Sequence, residues 1–113
     1  MINIDQLIVS LQHLSDADFQ RKAWLASEGP VVSSFSEDVC QVFDDTGLSI
    51  PLDNQTRPSE LDEQTYALLQ QLDSAVSRVD QSAPPEVLLR DPQVEKVRQI
   101  AARALARLRM LNA

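Results

Sequence analysis

The sequence is short of nearly everything from which small enzymes and metalloproteins are built. It has one cysteine, one histidine and two glycines in 113 residues. A lone Cys40 excludes an internal disulfide and any cysteine-based zinc cluster, and within residues 38–43 it reads as a small buried hydrophobe. A lone His13 means that any Ser-His-Asp, Cys-His or multi-histidine metal arrangement must be built around that one ring. Two residues after Leu11 and beside Leu14 on a short helix, His13 reads as a partly exposed structural residue. Gly29 and Gly47 alone cannot form a phosphate-cradling loop or a dinucleotide fingerprint. No apolar run approaches membrane-spanning length. Asn3, Asp5, Gln6, Ser10, Gln12 and His13 interrupt the first fourteen residues, so neither a secretory leader nor a membrane span is expected, and the expected location is cytoplasmic.

What is present is an ordinary globular composition, 43% hydrophobic and 24% charged, well away from the signature of disorder. The length predicts one domain with one core. The net charge of −7 hides a division along the chain. Residues 1–95 carry all 17 acids and only Arg21, Lys22, Arg57, Arg78 and Arg90, a balance of −12, whereas residues 96–113 carry Lys96, Arg98, Arg103, Arg107 and Arg109 without an acid, a balance of +5. An acidic body argues against nucleic acid as the main ligand, because phosphate binding relies on Lys and Arg to release counterions. A basic protein partner fits better. The alternative is that the acids keep the domain soluble and the terminal cations complement a helix C-terminus.

Periodicity predicts an all-α chain. Asn3 caps a first helix with Ile4, Leu7, Ile8, Leu11 and Leu14 on one face. Ser15 with Asp18 opens a second, through Phe19, Ala23 and Trp24, which Glu28-Gly29-Pro30 breaks, and Val31-Val32 reads as a packed connector. Ser34 with Glu37 forms a capping box before Phe35, Val39, Val42 and Phe43, and Gly47 closes that helix. Residues 48–58, broken by Pro51, Asp53-Asn54 and Pro58, read as the longest and most polar loop. Leu61, Thr65, Leu68, Leu72, Ala75 and Val79 mark a long helix, and Pro85 can begin a single turn through residues 86–89. Asp91-Pro92 then opens the last helix, striped by Val94, Val97, Ala101, Ala104, Leu105, Leu108 and Leu111. The expectation is a single-domain bundle of five or six helices, with the long helices 60–80 and 92–111 packed antiparallel at its centre. The same heptad spacing also suits a homodimer seam, and the small residues Ala102 and Ala106 behind the last helix, beside Gln99, would let a partner come close.

Three carboxylate pairs, Glu37-Asp38, Asp44-Asp45 and Asp62-Glu63, could in principle supply an acid and a base or hold a hard cation. Adjacent helical residues point about 100° apart, and neither a calcium loop nor a Glu-x-x-His element occurs, so no catalytic residue, metal or cofactor is expected. Asp44-Asp45 at a helix C-terminus runs against the macrodipole, which makes these two residues the leading candidates for a partner-binding surface, with Glu37, Asp38, Asp62 and Glu63 as neighbours.

The run from Leu14 to Trp24, LSDADFQRKAW, then Phe43-Asp44-Asp45-Thr46-Gly47-Leu48 and Asp91-Pro92 before a terminal helix, resembles a family of small bacterial helical proteins without assigned function. In size, acidity and helical organisation the chain is also similar to immunity proteins of contact-dependent and other polymorphic toxin systems. That resemblance implies a protein that binds a toxin domain, commonly a basic nuclease, and covers its active site or prevents its assembly. A homodimeric regulatory or adaptor protein, and a small enzyme, are the other classes the sequence leaves open.

Overall fold

In the computed structural model, which describes residues 2–25 and 33–111, most helices begin where a side chain can satisfy the first free backbone N–H groups. Asn3 Oδ1 accepts from Gln6 N at 3.0 Å to open α1, Ile4–Ser15. Asp16 Oδ1 accepts from Phe19 N at 3.0 Å to open α2, Ala17–Leu25. Asp16, not Ser15, is therefore the cap: Ser15 still belongs to α1 and turns its hydroxyl back to Gln12 O, while Asp18 pairs with Arg21. Ser34 Oγ accepts from Glu37 N at 3.1 Å ahead of α3, Phe35–Phe43, as the capping box predicts. The predicted break at Glu28-Gly29-Pro30 and the Val31-Val32 connector lie outside the described residues.

The end of α3 is built from two short-range devices. Asp44, the C-cap, donates its N–H to Cys40 O and Thr46 Oγ1 donates to Val42 O, so the helix closes before Gly47, expected to end it; Gly47 lies three residues past the cap and turns the chain with a left-handed φ of 83°, a conformation that a side chain would strain. The segment read as a loop contains a further short helix, α4, Ser49–Asp53. Pro51 does not prevent it, because it is the third helical residue, where its missing N–H would have had no intrahelical acceptor. Leu48, fully buried, and Leu52, partly buried, hold this turn against the core, and Gln55 leaves it with φ 54°.

Asp62 Oδ1 accepts from Thr65 N at 2.9 Å to open α5, Glu63–Val76, which ends three residues before the predicted stripe does, although Val79 remains buried. The single turn after Pro84 is α6, Pro85–Leu88. Asp91 Oδ1 accepts from Gln93 N at 2.8 Å, and Pro92 begins α7, Pro92–Leu111. The described residues thus form seven helices and no strand, so the expected count of five or six gives way to seven. None of the helices is long and apolar enough to cross a membrane.

Helix α7 packs against both α5 and α1, and α1 in turn packs against α3 and α2. Leu7, Leu11 and Leu14 of α1, Leu69 and Leu72 of α5, and Val94, Val97, Ala101, Ala104 and Leu108 of α7 are all essentially inaccessible. The predicted stripes of α1, α5 and α7 meet in one hydrophobic cluster, except that Leu111, at the last position of α7, is exposed beyond the reach of its neighbours. Its third face is α3, which adds Phe35 and Val42. The Cα radius of gyration, 13.7 Å, is that of a compact chain of this length.

Candidate functional site

Phe35 and Val42 anchor α3 inward, and the helical period then decides which acids reach the surface. Glu37, Cys40 and Asp44, spaced three and four residues apart, are exposed on the outer side, with Asp45 beside them. Asp44 occupies the C-cap of α3, so the negative charge of Asp44 and Asp45 stands next to the free carbonyls of the helix end. Neither of these residues nor Glu37 forms an ion pair among the described residues, where the only ion pairs are Arg21–Asp18, Arg98–Glu95 and Arg107–Asp62. The expectation that Cys40 is buried is overturned: it is exposed, at the centre of this acidic face. Partial desolvation, reinforced by Asp44, Asp45 and Glu37, holds its thiol above the ordinary value and so disfavours the thiolate.

Asp38 lies on the opposite side of the same helix. It is 1% exposed, and Oδ2 accepts a 2.8 Å hydrogen bond from Trp24 Nε1, joining α2 to α3. The Trp24 ring stands edge-on to Phe35 with centroids 5.8 Å apart. Burial raises the Asp38 carboxyl above its usual range, offset in part by Trp24 and by the nearby Ser33 hydroxyl. Neither Asp38 Oδ1 nor Ser33 Oγ completes a hydrogen bond among the described residues. Asp38 therefore presents no carboxylate to a surface partner.

The third acidic pair sits at a different place in the fold. Asp62 caps α5 and pairs with Arg107 of α7, and the Thr65 and Arg107 donors hold its carboxyl below the usual value. Glu63 is exposed in the first turn of α5, where the macrodipole favours a negative charge. Of the six acids singled out, the structure groups Glu37, Asp44 and Asp45 on α3, turns Asp38 inward and ties Asp62 and Glu63 to the start of α5.

The single histidine lines a surface cleft between α1, α2 and α7 together with Asp16, Asp18 and Arg109. His13 is half-buried with its ring stacked on Phe19, centroids 4.3 Å apart and planes 8° from parallel. No group of three His, Cys, Asp or Glu residues among those described could hold a metal ion.

A buried polar network is the feature that composition and capping motifs did not reveal. The Gln20 amide donates to the carbonyls of His13 and Leu14 at 3.0 and 2.9 Å, closing the end of α1, and its Oε1 accepts from Arg98 Nε at 2.6 Å. Arg98, only 6% exposed, also donates to Glu95 at 2.8 Å and to Leu89 O at 3.2 Å. The guanidinium is thereby satisfied from α2, α7 and the α6–α7 connection, the condition for tolerating a buried charge. The signal was present: Arg98 stands at a stripe position, four residues after Val94 and three before Ala101. The chain matches no protein-family model, no curated protein and no solved structure.

Proposed function

We propose that this chain is an acidic protein-binding module, an immunity protein that binds a basic, nuclease-type toxin domain in the cytoplasm and neutralises it stoichiometrically. The observation that carries the reading is the face of α3, where Glu37, Asp44 and Asp45 are exposed together and no ion pair among the described residues neutralises them. Unneutralised acids next to a helix C-terminus lower local stability, and a cationic partner offsets that cost while gaining a steered encounter. On this reading no reaction is catalysed by the chain. The α5–α7 pair is the antiparallel spine of a single helical bundle, holding α1 and, through it, α3 in place. Asp38 contributes indirectly by fixing the side of α3 that faces outward.

The test begins with a toxin gene immediately upstream, which the reading expects, and proceeds to complex formation with the domain it encodes. Wild type should form a stoichiometric complex and protect cells expressing that toxin, and Asp44→Asn/Asp45→Asn should fold normally yet protect less well. Full protection by the double variant, with an unchanged complex, would remove the α3 face from the mechanism.

A further inference from the structure

The opposite charge is collected in a groove between α5 and α7, and this surface has a chemistry of its own. The groove is about 580 Å³, floored by Ala67 and Leu68 of α5 and by Ala106 and Met110 of α7, with Arg103 and Arg107 at its margin and no acid in its lining. Met110 is 61% exposed, a large apolar side chain left without cover among the described residues. Arg103 is exposed and makes no hydrogen bond or ion pair among those residues. Arg107 is half-satisfied: one Nη reaches Asp62, while its Nε is shielded from solvent and has no acceptor.

We infer that the α5–α7 groove docks an amphipathic helix of a protein partner, with small or apolar residues along its packing side and carboxylates at its margin. Two parallel ridges of side chains with alanine at 67 and 106 leave a trough that a third helix can enter closely, the usual way a helix is recognised in a groove. The margin fixes the charge, since the exposed and unpaired Arg103 guanidinium complements an acidic residue. A second copy of this chain is the wrong occupant. In a two-fold contact through this groove each Arg103 would need an acid from the other copy, and residues 96–111 of α7 contain none. The basic partner proposed for α3 is equally unsuited to this groove, so the two faces address segments of opposite charge.

The probe is a labelled helical peptide with Ala and Leu at i, i+3, i+4 and i+7 and Glu on both flanks, titrated into the full chain by fluorescence anisotropy. A matched peptide carries Lys in place of Glu. The Glu peptide should bind saturably and the Lys peptide at least about tenfold more weakly. Arg103→Glu, at an exposed position that leaves folding intact by circular dichroism, should reverse that preference. Amide chemical shifts should move along α5 and α7. Equal binding of the two peptides, no saturable binding of the Glu peptide, or concentration-dependent self-association of the chain that Ala106→Glu abolishes would each overturn the inference.

Discussion

Replacing Arg98 by Met keeps a long unbranched side chain in the core but withdraws the donors that pair Gln20 and Leu89. Gln20 is fully buried, so its Oε1 loses its only hydrogen bond and keeps no access to water. A buried acceptor stranded in this way destabilises by about 1–3 kcal/mol. The Leu89 carbonyl, on a half-buried residue, adds a smaller increment. The ion pair with Glu95 contributes little, because the Glu95 side chain is 55% exposed. Arg98→Met should therefore lower stability by about 2–4 kcal/mol, read as a shift in the midpoint of urea unfolding followed by circular dichroism. Gln20→Met should do comparable damage, since it strands the Arg98 Nε–H and uncovers the His13 and Leu14 carbonyls. The double variant removes both sides of the central hydrogen bond, and its loss should fall short of the sum by about 1–3 kcal/mol. Additivity within about 0.5 kcal/mol would refute the network, because independent sites add and coupled ones do not.

Leu72→Ala and Leu105→Ala truncate side chains buried in the α1–α5–α7 core and should each cost about 2–5 kcal/mol in the same assay, whereas a loss below about 0.5 kcal/mol would contradict the packing. Burial raises the Asp38 carboxyl in the folded state, so the native protein holds that proton more tightly than the unfolded chain. Its contribution to stability is full below the unfolded value and is lost as pH rises through the folded one; Asp38→Asn, which keeps an acceptor for Trp24 Nε1, should flatten that loss, and an unchanged pH profile of unfolding would contradict it. His13→Ala removes the stack on Phe19, worth about 0.5–1.5 kcal/mol, and should leave protection against the toxin within a few-fold of wild type. Abolished protection in a variant with a normal melt would place His13 in the mechanism.

Local signals carried the helix starts. Asn3, Ser34 and Asp91-Pro92 cap where their chemistry predicts, whereas Gly47, although left-handed, lies three residues beyond the Asp44 cap that ends α3. The core stripes were legible for the same reason, since a 3.6-residue period is a property of sequence alone. A five-residue helix shows no such period, and α4 was hidden behind Pro51. Side-chain chemistry misled where period alone would have served. Asp38 shares the inward side with Phe35, three residues before it, and Val42, four after it, while Cys40 stands opposite, yet hydrophobicity placed Cys40 inside and Asp38 outside. The bonds that settle Asp38, Arg98 and Asp62 join residues 14, 78 and 45 positions apart, and such pairings exist only once helices have packed.

If the exposed acidic face on α3 captures a basic partner, as proposed, its long-range attraction acts on the rate of encounter. Exposed ion pairs contribute little once formed and are screened by salt, whereas complementary potentials accelerate association. The decisive measurement is the association rate of the chain with the basic toxin domain proposed as its partner, at low and high ionic strength, for wild type and for Asp44→Asn/Asp45→Asn. The wild-type rate should fall steeply with salt. The double variant should associate more slowly at low salt, converge on wild type at high salt and dissociate at a nearly unchanged rate. Salt-independent association of the wild type, with identical kinetics for the double variant, would contradict the claim.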